Sequence, residues 1–158
     1  MAKKVKDATK SNALPDVYLV CEGDADETIL ASLTQKILRR NHTDLRVAIV
    51  AAQGKQPIPR LVEALADETQ GASRVGIVID SDGQVEETRS FLGKNLDLKN
   101  YFVVIANPSV ESWLGDEIKG LARNGQSSRV VDELDLDEIE REHPEVAILS
   151  ENLKRKAA

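Results

Sequence analysis

Short apolar runs alternate with amphipathic stretches along most of the chain. The runs 17–21, 47–50, 75–79 and 101–105 are rich in Val and Ile, which is typical of buried parallel strands. Behind the first run, apolar residues recur at helical spacing, as in Ile29, Leu33 and Ile37. Strands that alternate with helices predict an α/β fold, with a parallel sheet of about four strands and helices on both faces.

Local signals predict where several of these elements begin and end. Asp24 and Glu27 have the spacing of a capping box at the start of the first helix. After the fourth strand, one helical face is formed by Val110, Trp113, Leu114, Ile118 and Leu121. A Gly- and Ser-containing break at 124–128 then precedes an acidic stretch that we expect to be helical. The chain is therefore divided into a flexible basic arm over 1–15, an α/β domain over 16–122 and a C-terminal helical extension over 123–158.

Composition narrows the possible ligands and partners. Aromatic residues make up 3% of the 158 residues, which is too few for a base-stacking platform. With one cysteine and two histidines a zinc site of the Cys/His type cannot be assembled, so any metal must be held by oxygen. No stretch approaches the ~20 apolar residues of a membrane span, and we expect a cytoplasmic protein without a membrane partner.

The net charge of −6 is unevenly distributed. Residues 132–145 contain eight acidic residues and one arginine, so the remainder of the chain is close to neutral. Arg39, Arg40 and the lysines of the arm and tail are candidates for a phosphate-binding surface, although scattered surface lysines are more commonly only solvated. Charge alone leaves a nucleic-acid partner open.

Acidic residues follow two of the predicted strands, at the edge where parallel sheets bind ligands. Glu22 follows the first strand, and Asp80 and Asp82 end or follow the third. Because carboxylates gathered without a cation repel one another, this pattern favours a Mg²⁺ or Mn²⁺ site and, with it, phosphoryl transfer or phosphodiester hydrolysis. Each acid taken alone also has a structural alternative, as a helix-start or turn residue.

Four other residues near this edge are each open to a functional or a structural role. Lys55, in the loop after the second strand, can bind a phosphate oxygen or be solvated. Glu111 can be a first-turn acid that the helix dipole favours, or it can reach the metal. Trp113 is expected in the core or at an interface, and Cys21 in the core, rather than at a ligand.

The order of the strand-end motifs is similar to that of a known domain. Glu22-Gly23 after the first strand, Gly54-Lys55 after the second and Asp80-Ser81-Asp82 after the third resemble the TOPRIM domain of topoisomerases, primases and OLD-family nucleases. The similarity covers residues 17 to about 106. The segments 21–27 and 107–114 most resemble the OLD-type and RloB-like branches.

This resemblance implies a TOPRIM-like, Rossmann-like fold and a metal-dependent nuclease acting on DNA or RNA. It implies Glu22 as general base or metal ligand, Asp80 and Asp82 as cation ligands, and Asp26 as a candidate ligand of a second metal. The two branches are associated with phage defence. OLD proteins carry an ATPase in the same chain, whereas this sequence has no Gly-x-x-x-x-Gly-Lys-Ser/Thr motif, so a separate ATPase partner is expected; a homo-oligomer is left open.

Two alternatives stay open beside the nuclease. Residues 78–83 also resemble the Asp-x-Asp-Gly motif of haloacid-dehalogenase-type phosphatases. That family opens its fold with the motif, however, and Glu22 would then have no role. A non-catalytic, TOPRIM-like interaction subunit that binds a partner through Trp113 and the acidic helix is compatible with the same composition.

Overall fold

The computed structural model describes residues 14–154, apart from the side chains at positions 122, 127 and 128. A parallel sheet of four strands in the order β2-β1-β3-β4 lies at its centre. The strands are β1 (Val17–Cys21), β2 (Val47–Ala51), β3 (Arg74–Asp80) and β4 (Phe102–Ala106). The predicted α/β class and four-stranded parallel sheet are confirmed.

Helices connect the strands and continue after β4. The connections are α1 (Asp24–Arg40), α2 (Ile58–Thr69) and α3 (Val85–Asn95), followed by a 3-10 turn at Leu98–Asn100. A second 3-10 turn, Glu111–Trp113, precedes α4 (Asp116–Arg123), α5 (Ser127–Glu133), α6 (Leu136–Glu142) and α7 (Glu145–Asn152).

Helices cover both faces of the sheet, and successive residues of a strand point to opposite faces. On one face, Val17, Leu19 and Cys21 pack against α1 and the helices that follow β4. On the other face, Tyr18 and Val20 pack against α2 and α3. This two-sided burial explains why β1 is a continuous apolar run, and it confirms the prediction of helices on both faces.

The strands β1 and β3 are neighbours, but the helices behind them leave on opposite faces of the sheet. α1 covers the first face and leads outward to β2, whereas α3 covers the second face and leads to β4. The crevice between the carboxyl ends of β1 and β3 is therefore the topological switch point of the sheet. Open α/β sheets bind their ligands at such a crevice.

The start of α1 differs from the predicted capping box. Gly23 occupies the N-cap position in an extended conformation and provides no side-chain cap. Asp24 is already the first helical residue, and its Oδ1 accepts a hydrogen bond from Gln53 Nε2 at 2.9 Å. The capping box fails because the chain enters the helix one residue earlier than the Asp24/Glu27 spacing requires.

The single helix predicted across residues 110–121 is also wrong. The chain forms the short turn Glu111–Trp113, becomes extended at Leu114 and begins α4 at Asp116. Trp113 and Leu114 are both buried, 3% and 5% exposed. Trp113 reaches the core from the 3-10 turn and Leu114 from the extended position after it, and Gly115 then leads into α4.

The helices after the break at 124–128 complete the core on the α1 face of the sheet. Val130, Ile139 and Leu149 are buried in the same cluster as Leu30 of α1 and Val104 of β4. The predicted C-terminal helical extension is thus helical and packs directly on the α/β unit. The expected basic arm, up to residue 13, and the last residues of the basic tail, 155–158, lie outside the described residues.

In the part of the chain that the structure describes, no helix has both the length and the apolar character needed to cross a membrane. The longest, α1, spans 17 residues and carries acidic residues in its first turn and Arg39 and Arg40 in its last. Its buried residues lie on the sheet-facing side, as in an ordinary amphipathic helix of an α/β fold.

Candidate metal centre

Three carboxylates converge in the crevice between β1 and β3. Glu22 directly follows β1, Asp80 is the last residue of β3, and Asp26 lies in the first turn of α1. One carboxylate oxygen from each residue lies within 4.8 Å of the others. An oxygen-only set of this kind suits a hard divalent cation such as Mg²⁺ or Mn²⁺. We call these residues the acidic cluster.

Backbone N–H groups orient two carboxylates of the acidic cluster. Glu22 Oε2 accepts a hydrogen bond from the Asp80 N–H at 2.7 Å. Asp80 Oδ1 in turn accepts one from the Val110 N–H at 2.8 Å. The ends of β1 and β3 and the segment after β4 are therefore joined through the carboxylates themselves, which fixes the direction of both side chains.

Burial raises the pKa of all three carboxyl groups of the acidic cluster. For Asp26, burial and then the charges of Asp80 and Glu22 raise the pKa to about 6. The pKa of Glu22 and that of Asp80 are also raised, mainly by burial, although the N–H groups of Asp80 and Val110 act in the opposite direction. In the metal-free protein, the surroundings of each carboxyl group thus disfavour its charged form. A bound cation would reverse that preference.

The loop after β2 is tied to the end of β1. The Gly54 N–H donates to the Glu22 carbonyl oxygen at 2.8 Å. Gly54 has a φ of 128°, a conformation that a residue with a Cβ rarely adopts. The tight turn brings Lys55 beside the acidic cluster, where its charge lowers the pKa of Glu22 and Asp80 against the larger effect of burial.

Asp82 pairs with Lys55 and does not join the acidic cluster. Lys55 Nζ lies 2.6 Å from Asp82 Oδ2, and the Asp82 side chain is 68% exposed. Asp82 and Gly83 both have a positive φ, 53° and 83°, so the chain turns sharply just beyond Asp80. The sequence grouped Asp82 with Glu22 and Asp80, whereas the structure brings Asp26 into that position.

Ser81 and Asn107 hold the turn between Asp80 and Asp82. The buried Ser81 hydroxyl donates to Asn107 Oδ1 at 2.7 Å and accepts from the Gly83 N–H at 3.0 Å. The Asp82 N–H donates to the Pro108 carbonyl oxygen at 2.9 Å. Sequence reasoning missed this supporting role, and its one visible signal is that Asn107 and Pro108 directly follow β4.

Glu111 lies at the border of the acidic cluster. Its Oε1 accepts a hydrogen bond from Arg123 Nη2 at 2.5 Å, so its charge is already paired. That charge nevertheless contributes to the raised pKa of Asp26 and of Asp80. No sequence pattern linked Arg123, in the last turn of α4, to this site.

Cys21 and Trp113 lie in the core, as the sequence predicts. Burial raises the pKa of the Cys21 thiol to about 12, so this residue supplies no thiolate nucleophile near neutral pH. The Trp113 Nε1–H donates to Glu145 Oε2 at 2.9 Å inside the protein. The interaction-subunit hypothesis needs Trp113 at the surface, and its burial removes that contact.

Comparison of the chain with protein-family models, with curated proteins and with solved structures found no significant match. The resemblance to TOPRIM domains consequently stays a prediction from the strand-end motifs. The geometry of the acidic cluster is independent of that resemblance, because it follows from the sheet order and the side-chain positions alone.

Proposed function

We propose that this protein is a TOPRIM-type nuclease that hydrolyses phosphodiester bonds of DNA or RNA with Mg²⁺ or Mn²⁺. The observation that carries the proposal is the convergence of Glu22, Asp26 and Asp80 within 4.8 Å at the topological switch point. Glu22 and Asp80 lie at the carboxyl ends of two parallel strands, and Asp26 lies in the first turn of the helix that follows β1. This arrangement suits a cation and a phosphate better than a structural ion pair.

The donor set fits a divalent cation on two grounds. All three ligands are carboxylate oxygens, and each carboxyl group has a raised pKa that a cation would lower. Glu22, Asp26 and Asp80 would hold the ion. When bound, a cation of this type supplies charge neutralisation and polarisation at a phosphoryl oxygen.

The surrounding residues have separate roles in the proposal. Glu22 and Asp80 are fixed by backbone N–H groups and act as positioned ligands. Asp26 completes the ligand set, and a bound cation would lower its pKa from the value of about 6 that it has in the metal-free protein. Lys55 is 28% exposed and paired with the exposed Asp82, so it can exchange that carboxylate for a substrate phosphate oxygen.

A separate ATPase partner and a role in phage defence are also part of the proposal. They are supported by the resemblance of segments 21–27 and 107–114 to the OLD-type and RloB-like branches. Capture of an ATPase by the tagged chain from its native host would support this part. Capture of an unrelated assembly would contradict it while leaving the cation site unaffected.

Cleavage assays test the catalytic part. Supercoiled plasmid and single-stranded RNA are incubated with the protein and Mg²⁺ or Mn²⁺, with and without the captured partner. We expect nicking or degradation that EDTA abolishes and that Glu22→Gln and Asp80→Asn each reduce at least ~100-fold. Both substitutions keep an oxygen that accepts the observed N–H bond, so the local fold is retained.

Glu138→Gln is the matched control, because Glu138 is an exposed acid of α6. It should cleave like the wild type. Activity that survives in both Glu22→Gln and Asp80→Asn would contradict the site. Turnover of a phosphomonoester without any cleavage of nucleic acid would favour the phosphatase alternative. The hydrogen bond from the Asp80 N–H to Glu22 has no role in that alternative.

A further inference from the structure

A cavity of about 280 Å³ opens between the start of α1 and the segment that runs from Glu111 into α4. One wall belongs to the first two turns of α1 and consists of Asp24, Ala25, Thr28 and Ile29. The facing wall consists of Glu111, Leu114, Lys119 and Arg123. The cavity lies on the side of α1 that faces α4, next to the acidic cluster.

Two observations connect this cavity with the acidic cluster. Ala25, on the cavity wall, is the immediate neighbour of Asp26 in the first turn of α1. Glu111, on the facing wall, is close enough for its charge to act on Asp26 and Asp80. The acidic cluster contributes no residue to the cavity wall, so the cavity is a separate site that begins at the same turn of α1.

The cavity has an apolar floor and a charged rim, on which Lys119 and Arg123 are the cations and Asp24 and Glu111 the acids. Ile29 and Leu114 are each 5% exposed and form the floor. Lys119 and Arg123 lie on the α4 side, and the Arg123 side chain is 69% exposed. Glu111 Oε1 lies 2.5 Å from Nη2 of Arg123. The remaining N–H groups of the Arg123 guanidinium can donate to a phosphate.

The dimensions restrict the occupant to one small group. A volume of about 280 Å³ lies just below the ~300 Å³ at which small-ligand pockets begin. The base of a nucleotide has a flat face that can pack on apolar side chains, and its phosphate can bind the cationic side chains of Lys119 and Arg123 at the rim. A folded partner or a duplex would find no comparable fit in a cavity of this size.

We propose that this cavity is a nucleoside-binding subsite next to the acidic cluster. The base packs on Ile29 and Leu114, and Arg123 and Lys119 bind the phosphate that flanks the bond to be cleaved. The choice of a nucleic-acid substrate rests on the proposed nuclease function, whereas the fit of a nucleoside phosphate rests on the cavity itself.

Binding of adenosine 5′-monophosphate to the full chain in EDTA tests the subsite without requiring cleavage. Amide shifts in ¹H–¹⁵N spectra are expected for Ala25, Leu114 and Lys119. The fluorescence of Trp113, the single tryptophan and the neighbour of Leu114, should change with the same dissociation constant. Inorganic phosphate alone should compete at least ~10-fold more weakly, because it leaves the apolar floor unused.

Two variants and two matched controls locate the binding. Ala25→Leu fills the cavity from an exposed helix position, and Arg123→Ala removes the guanidinium; each should weaken binding at least ~10-fold. Ala64→Leu on α2 and Arg89→Ala on α3 make the same changes at exposed positions on the other face of the sheet and should have no effect.

The outcomes separate this inference from the proposed function. Unchanged nucleotide affinity in Ala25→Leu and Arg123→Ala, or cleavage with an unchanged KM, would overturn the subsite even if the protein is a nuclease. Specific nucleotide binding that both variants weaken, together with no cleavage under any condition, would support the subsite and contradict the nuclease.

Discussion

Acidic residues gather in two regions of this molecule, the acidic cluster at the sheet edge and the segment 132–145. In the segment, carboxylates have cationic or N–H partners: Glu140 binds Arg40 at 2.6 Å, and Glu145 accepts the Trp113 Nε1–H at 2.9 Å. In the acidic cluster, Glu22 and Asp80 also accept backbone N–H bonds, but the three carboxylates lie half-buried side by side, one oxygen of each within 4.8 Å of the others. The pKa of Glu140 is accordingly lowered, mainly by its hydrogen bond with Arg40, whereas the pKa of Asp26 is raised.

The difference shows that the density of acids in a sequence says little about a metal site. The segment holds eight acids in 14 positions, yet those with described contacts stabilise packing between elements. The acidic cluster draws its three residues from positions as far apart as 22 and 80. The segment also occupies Arg40, one of the basic residues considered for a phosphate-binding surface.

The largest effect that separates the two regions is stabilisation by a divalent cation. A ligand at 100 times its dissociation constant raises the free energy of unfolding by about 2.7 kcal/mol. We expect a stabilisation of this order when Mn²⁺ is added to the EDTA-treated protein, measured by urea unfolding. Asp80→Asn should lose most of it, because it removes a ligand charge from the acidic cluster.

Asp137→Asn is the matched control from the acidic segment, since the Asp137 side chain is 86% exposed. It should keep the full response to Mn²⁺. Equal stabilisation of the two variants would place the cation outside the acidic cluster and would remove the contrast between the regions.

The sequence predicts the elements of the fold better than the membership of the site. Apolar runs locate all four strands because two-sided burial demands them, and Glu22 and Asp80 are identified because each directly follows or ends a strand. The choice between Asp26 and Asp82 is different. It depends on the positive φ at Asp82 and on which side of α1 faces the crevice, and both are set by contacts distant in sequence.

The second prediction concerns Glu145, which joins α7 to the segment after β4. Its Oε2 accepts from the Trp113 Nε1–H at 2.9 Å and from the Asn107 N–H at 3.0 Å. Glu145→Ala leaves the buried indole N–H without this acceptor, and we expect a loss of about 2 kcal/mol in the free energy of unfolding. Urea unfolding followed by Trp113 fluorescence measures the change.

Glu145→Gln retains an acceptor oxygen and should lose about half as much. Glu142→Ala, at an exposed position of α6, controls for removal of an acid from the segment. A loss in Glu142→Ala as large as in Glu145→Ala would mean that the charge of the segment, rather than the bond to Trp113, stabilises this region.

The third prediction concerns Asp26, whose replacement should raise the free energy of unfolding, whereas replacement of Glu145 should lower it. The pKa of Asp26 is about 6 in the folded protein against an ordinary value of 3.8, so the folded state binds more protons and loses stability as the pH rises through that window. Asp26→Asn removes the titration. We expect it to stabilise the metal-free protein by about 1 kcal/mol at pH ~8. The gain is limited to this size because solvent screens the charge of a partly exposed group.

The gain should disappear at pH ~4, where Asp26 itself is largely neutral. Asp67→Asn, at an exposed position of α2, is the control for removal of an acid and should lack the gain at pH ~8. Thermal unfolding in EDTA across this range measures both variants. A destabilised Asp26→Asn at pH ~8 would show that the charge of Asp26 is already compensated within the chain.

The smallest effect belongs to Glu140, and its dependence on pH has the opposite direction. Hydrogen bonds from Arg40, and to a lesser degree from Ser150, lower the pKa of Glu140 below its ordinary value of 4.5. A lowered pKa contributes stability above the unfolded pKa, and this contribution is lost as the pH falls through the folded pKa. Glu140→Gln should therefore cost about 0.5 to 1 kcal/mol at pH ~7 and progressively less below pH ~4. Glu138→Gln, an exposed neighbour on α6, serves as the control in the same urea titrations. If the cost of Glu140→Gln grew on acidification, Glu140 would share the behaviour of Asp26, and the two acidic regions would no longer differ in how they hold their charge.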